Sequence, residues 1–437
     1  MAAAGGLVVP ALRRGAVTAG VVGFLASPQV RARPHRLYST LRHLDPVHES
    51  PFGLWLLSRH ADVSACLRNP GLSSVERKAD EQWLMNRPAV KLLMRVRPEQ
   101  HGNGASWALM ERMLLFLDPP DHSRIRSLVS KAFTPKAVSA LEPRVAELVD
   151  ETLDRIAPRG RIELMSELAY PLPARVICEM LGVPPEGQDI IVRHAPAVAG
   201  RLDPSPMRDA EDMAAADHAC AELTEYLESL IESRRRSPGP DLLSALMAAE
   251  EHGDRLTHDE LLSTVILLLI AGHETTANLI GNGLLALMSS PEQSEALVAD
   301  PARAVEELLR YDGPIQMTER ITLEDLEVGG RVIPARRIVI LLLAAANRDG
   351  AVFRDADRLD LARHPNPHLA FSSGAHFCLG SPLARMEARL ALPAIVQRLG
   401  GGTAAGLSLA GPAPRRNSFT IRGLSALPLA WKWRSAY

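Results

Sequence analysis

Residues 371–380 read Phe371-Ser372-Ser373-Gly374-Ala375-His376-Phe377-Cys378-Leu379-Gly380, and a helix-compatible run follows through Leu383, Met386 and Leu390. Glycines at 374 and 380 let the backbone turn tightly and approach a flat ligand. Cys378 falls near a helix start, where free N–H groups and the helix dipole favour a thiolate. A thiolate so placed is a good ligand for iron. In isolation the residue would read as a buried cysteine on a glycine-rich turn. Zinc is another reading, since His364, His368, His376 and Cys378 are all acceptable ligands within fifteen positions. However, His364 and His368 flank Pro365-Asn366-Pro367, and no second cysteine cluster accompanies them.

Upstream, Thr257 followed by Glu260 makes a capping box, and a helical pattern runs from His258 to about Met288, before Pro291. That is roughly 31 residues, or about 46 Å of helix. Its centre, Val265–Ala271, is apolar on every side and should lie inside the protein. Polar residues follow at once in Ala271-Gly272-His273-Glu274-Thr275-Thr276, which speaks against a membrane span. The Thr275 hydroxyl can bond the Ala271 carbonyl and bend the turn, making room for a small molecule. Glu274 beside it could pass protons. A harmless interior kink is the plainer alternative. Between this helix and the cysteine stretch lies Glu307-Leu308-Leu309-Arg310, whose i,i+3 charges share a helix face.

The rest of the chain fits a mainly α protein with small β-sheets, an α+β architecture. Helical spacing recurs between His122 and Met288, as in Val145, Leu148, Leu153 and Ile156. Strand signals are few: Leu54–Leu57, a hairpin of Leu326–Val328 and Arg331–Ile333 across Gly329-Gly330, and Arg337–Leu343. Asp80–Gly104 reads as a long mobile connection. The chain of 437 residues carries 49 Lys and Arg against 51 Asp and Glu, and 4 % aromatics, so neither nucleic acid nor an acidic membrane is expected as a partner. The cysteines, Cys66, Cys178, Cys220 and Cys378, are far apart, and a reducing cytoplasm is the default. Residues 1–36 read as a partly ordered leader. Arg13, Arg14 and the small residues after them resemble a signal peptide only faintly, and the stretch is too short to span a bilayer. Residues 37–437 read as one domain.

In their order and spacing, the three motifs resemble the cytochrome P450 family, and more narrowly its soluble bacterial branch, from about Leu37 to Trp431. The resemblance implies the P450 fold, with haem b (iron protoporphyrin IX) between the long central helix and the helix after the cysteine, and Cys378 as axial ligand. Phe371 and Gly380 belong to the same cofactor loop. His122 and Arg126 in Leu117-Asp-Pro-Pro-Asp-His122-Ser-Arg-Ile-Arg126, with Arg320 and His376, would hold the haem propionates. Glu274 and Thr275 would deliver protons. Leu267 and Ala271, with Gln316 and Ile421, would line the substrate pocket. Arg358 would complete a structural network with Glu307 and Arg310. The implied reaction inserts one oxygen atom from O2 into a C–H bond of a small hydrophobic molecule, by hydroxylation or epoxidation. Polyketide, terpenoid, steroid and fatty-acid substrates all fit such an enzyme of secondary metabolism. Electrons would come from a ferredoxin and its reductase, docking near Arg124, Lys131, Arg385 and Arg389. A peroxide-using or non-redox haem-thiolate enzyme, or a haem sensor or carrier, would share these motifs. The chain departs from the family pattern at Gly350, Ala356 and Leu359, and has Ser372 and Arg336 where glycines are usual.

Overall fold

The computed structural model describes residues 3–91, 104–203, 210–249 and 253–432. Helices dominate, and the longest is His258–Ser289. Its capping box is present as read: Thr257 Oγ1 accepts from the Glu260 amide at 3.3 Å, and Glu260 Oε2 accepts from the Thr257 amide at 2.9 Å. Helices Pro171–Leu181, Pro301–Asp312 and Ser381–Arg398 pack around it. Gly283 permits the last two approaches, because a Cβ there would stand 3.2 Å from Leu308 and 3.4 Å from Leu392. Burial of Leu261, Val265, Ile266, Leu269 and Ile280 makes this helix the spine of the main core. Among the described residues it alone is long and apolar enough to cross a membrane, and most of it is instead buried in protein.

The sheets are small and peripheral, as expected. Five strands run in the order Val47–Glu49, Trp55–Leu57, Ile338–Leu341, Thr318–Thr322, Leu72–Ser73. Trp55–Leu57 pairs in parallel with Ile338–Leu341, and the other pairings are antiparallel. Leu326–Val328 and Arg331–Ile333 form the anticipated hairpin. A third sheet joins Arg161–Glu163 and Leu407–Leu409 to Pro428–Trp431, a pairing too non-local for sequence pattern to reveal. The stretch 80–104 is not wholly irregular: Asp80 caps a short helix, Glu81–Met85, through the Trp83 amide. Residues 92–103 lie outside the described residues.

The N-terminal segment is helical over Ala3–Ala26. Val17, Val21 and Phe24 are buried against Leu37, Tyr38 and Leu41 of helix His35–Leu44 and against Phe419. The stretch read as a leader thus contributes to a core cluster.

Candidate functional site

The cysteine stretch is a loop closed on itself. The Cys378 amide donates to the Phe371 carbonyl at 2.9 Å, and the Phe377 amide to Gly374 at 3.1 Å. Gly374 has φ +71°, and a Cβ there would come within 2.6 Å of the Leu67 carbonyl oxygen, so only glycine fits. Gly380 is different. Its φ is −79°, and a Cβ would meet no protein atom within 4 Å. Its bareness leaves the space beside Cys378 clear rather than making a turn. Helix Ser381–Arg398 starts directly afterwards. Burial pushes the Cys378 thiol up, and this outweighs the downward pull of the Gly380 and Ser381 amides and of Arg126 and Arg385. The helix start helps a thiolate, but the loop alone does not secure one.

Beside the loop, donors from four segments converge. His122, on helix Asp121–Ala132, is 1 % exposed, and neither ring nitrogen has a partner among the described residues. Its ring centroid lies 4.1 Å from that of His376. Nε2 of His376 is 3.1 Å from the Ser74 hydroxyl. Arg126 Nη2 donates to the Phe377 carbonyl at 2.6 Å, while buried Arg320 donates to Thr318 Oγ1 and the Glu319 carbonyl. The nearby carboxylate, Asp118, is already taken up by Lys78, Ser73 and Ser74. Burial, then Arg320 and His122, push His376 down to about 3. Burial and Arg126 also lower His122. A partly buried group rich in donors, with two ring nitrogens that have no partner among the described residues, suits a ligand that brings its own carboxylates to this edge. The haem propionates are such groups, so the residues present fit haem b.

On the central helix, Leu267 and Thr275 are partly open and Ala271 is exposed, although most neighbouring positions are buried. Thr275 Oγ1 donates to the Ala271 carbonyl at 2.7 Å, as read from the sequence. Its hydroxyl proton is thereby engaged, and its lone pairs remain to accept from water. Glu274 is buried and turned elsewhere. It pairs with Arg416, which also donates to the Tyr170 hydroxyl at 3.1 Å. Glu274 Oε2 has no partner among the described residues. His273 is buried, its ring near Tyr170, and burial followed by Arg416 pushes it down to about 4.

Two expectations need correction. Gln316 does not turn towards the Leu267–Ala271–Thr275 stripe: its amide donates to the Gly313 carbonyl, and its oxygen accepts from Tyr38 at 3.3 Å. Its main chain pairs with the C-terminal loop, its amide bonded to Thr420 and Ile315 bridging Ile421, which is itself buried. Arg358 joins the Glu307–Arg310 network only through its carbonyl, which accepts from Arg310 at 3.1 Å. The guanidinium that reaches Glu307 is that of Arg363, whose Nε lies 3.1 and 3.0 Å from the two carboxylate oxygens. Arg363 stands five residues further along the same turn, and nothing in the residue pattern distinguishes the two. The cations expected at a docking face are partly exposed and also carry ion pairs: Arg124 with Glu260 and Asp254, Arg385 with Glu306, and Arg389 with Glu142.

The zinc alternative loses its ligands, because both His368 nitrogens are occupied, by Glu306 and by the Ala370 amide. Among the described residues no three His, Cys, Asp or Glu side chains converge to hold a metal ion. Arg416 and Arg363 had no motif to announce them.

The sequence profile of the cytochrome P450 family matches residues 202–400. The chain is 40 % identical over 412 residues to vitamin D(3) 25-hydroxylase of Pseudonocardia autotrophica, covering 92 % of this chain and 95 % of that one. It is 40 % identical over 415 residues to the cytochrome P450 monooxygenase PikC of Streptomyces venezuelae, covering 92 % of each. Among solved structures it resembles Mycobacterium smegmatis CYP164A2 with econazole bound, at a TM-score of 0.81 and 39 % identity, over 94 % of this chain and all of that one.

Proposed function

The chain belongs to the cytochrome P450 family, haem b proteins that incorporate oxygen from O2 with the help of a redox partner, and from that premise we propose that it oxidises a C–H bond of a small hydrophobic molecule with electrons from a ferredoxin. The carrying observation is the open stripe Leu267–Ala271–Thr275 on an otherwise buried helix, with the Thr275 hydroxyl bonded to Ala271. Haem ligated by a thiolate supplies the oxygen-activating chemistry when bound. Cys378 would hold its iron through the thiolate, with the Gly380 and Ser381 amides supporting the negative sulfur. His122, Arg126, Arg320 and His376 would hold its propionates. Thr275 would retain a water by its free lone pairs, and Glu274, held by Arg416, would replenish protons nearby. Leu267 and Ala271 would orient an apolar substrate. Vitamin D(3), the substrate named for one relative, is the first molecule to try. We also place the protein in the cytoplasm, with residues 37–437 as the domain and the N-terminal helix packed onto it.

The test begins with the reduced, carbon-monoxide-bound spectrum, which should show the red-shifted Soret band of a thiolate-ligated haem. Cys378→Ser should abolish that band, and its persistence would remove Cys378 as ligand. Turnover should then need both O2 and a ferredoxin system. Product formed with peroxide alone, and none with ferredoxin, would favour the peroxide-using alternative.

A further inference from the structure

The loop 415–423 carries Arg416, the partner of Glu274, and the buried Ile421, and it is gripped from the opposite end of the chain. Arg31 donates from Nε and Nη2 to Asn417 Oδ1 at 2.9 and 2.6 Å. The same guanidinium donates from Nη1 to the Phe24 and Leu25 carbonyls at 2.8 and 2.7 Å, so it also caps the last turn of helix Ala3–Ala26. It lies 4.3 Å above the Phe419 ring, and Phe419 meets Phe24 edge-on at 5.7 Å. A second tie runs beside the first, from Arg422 Nη1 to the Ala32 carbonyl at 3.0 Å. The next residue back from Asn417 is Arg416, which holds the buried Glu274 beside Thr275.

We propose that Arg31 is a positioning residue of the distal site: by holding Asn417 and Phe419 it sets where Arg416 keeps the Glu274 carboxylate and where Ile421 stands. Arginine suits this because one planar group can bond a side chain, cap a helix and stack on a ring at once. Lysine could not reproduce the set. No proton is transferred by Arg31; its effect passes through the loop. The inference rests on the haem-thiolate reading of the site.

The test uses the full-length holoprotein with Arg31→Ala, Asn417→Ala and the double variant. Two readouts are taken: econazole affinity from the Soret shift, and peroxide released per NAD(P)H consumed with vitamin D(3) present. Each single variant should weaken econazole about fivefold, the worth of one ordinary hydrogen bond, and raise the peroxide share. The double variant should do no more than Arg31→Ala alone, because that change already removes the Asn417 contact along with those to Phe419 and the helix end. Parent-like singles, or effects that add in the double, would overturn the proposal. If Arg31→Ala fails to take up haem, Asn417→Ala decides alone: a shift supports the clamp, and parent-like values remove it. Failure of the parent to give the thiolate Soret band would instead strike the haem-thiolate reading itself.

Discussion

Two departures from the family pattern have a price in backbone geometry. Ser372 has φ +63° and Arg336 φ +61°, both in the left-handed region where a Cβ is disfavoured. At both positions the sequence lacks a glycine that the family usually has, and the structure shows the departure as left-handed backbone. Ser372 carries a second burden, since its hydroxyl is buried without a partner. Ser372→Gly relieves both, against the extra chain entropy that glycine brings to the unfolded state. The net gain should be about 1 kcal/mol. Arg336 is exposed and carries only the backbone strain, so Arg336→Gly should gain less. Equilibrium denaturation of the two variants checks the order, and a destabilised Ser372→Gly would show that the loop needs the serine. Arg363 marks the other side of legibility. It and Arg358 lie in one Asp-rich turn, and only the folded path of that turn shows which guanidinium meets Glu307.

The central helix was readable at its scale: cap, length, apolar middle and Thr275–Ala271 bond all follow from spacing and side-chain chemistry. Its tertiary ties were not. Arg416 reaches Glu274 across 142 positions, and no local pattern encodes a partner at that separation. Two properties of the helix can be checked separately. Thr275→Ala should leave binding of an apolar substrate nearly intact while diverting oxygen to peroxide, read as product formed per NAD(P)H consumed. Unchanged coupling would mean that the hydroxyl only shapes the turn. His273 governs a pH effect. Burial lowers it from 6.5 to about 4, so the unfolded chain takes up this proton first as pH falls. The stabilisation from keeping His273 neutral is therefore complete above pH 6.5 and is lost as pH falls towards 4. His273→Phe should flatten the stability profile between those limits, and an unaltered slope would assign the acid sensitivity to other groups.

Across the whole molecule, Glu307 gathers the chain after the central helix. It accepts from Arg310 and Arg363, from the Asp360 amide and from Asn366, while Arg310 ties down the carbonyls of Asn347, Ala356 and Arg358. The Glu307 and Arg310 side chains have no exposed surface. Arg363→Ala leaves Glu307 paired with Arg310 but removes a second charge-assisted bond from a buried carboxylate, so it should cost about 1.5–3 kcal/mol. Arg358→Ala should cost within about 0.5 kcal/mol, since its carbonyl is retained. Unfolding midpoints of the two holoproteins decide this, and equal losses would restore Arg358 to the network. The sequence announced the Glu307–Arg310 pair, but its third member depended on how some fifty intervening residues fold back. The layout also separates two burdens that a protein often carries on the same residues. What holds the central helix lies at its cap, at Arg124 and along its buried sides, whereas Leu267, Ala271 and Thr275 open onto space. On the proposed reading, replacing Ala271, the exposed member, redraws the wall that meets a guest molecule without repacking the core behind it. Diversification of the molecules admitted can thus proceed by single steps, each leaving a folded protein for the next to act on.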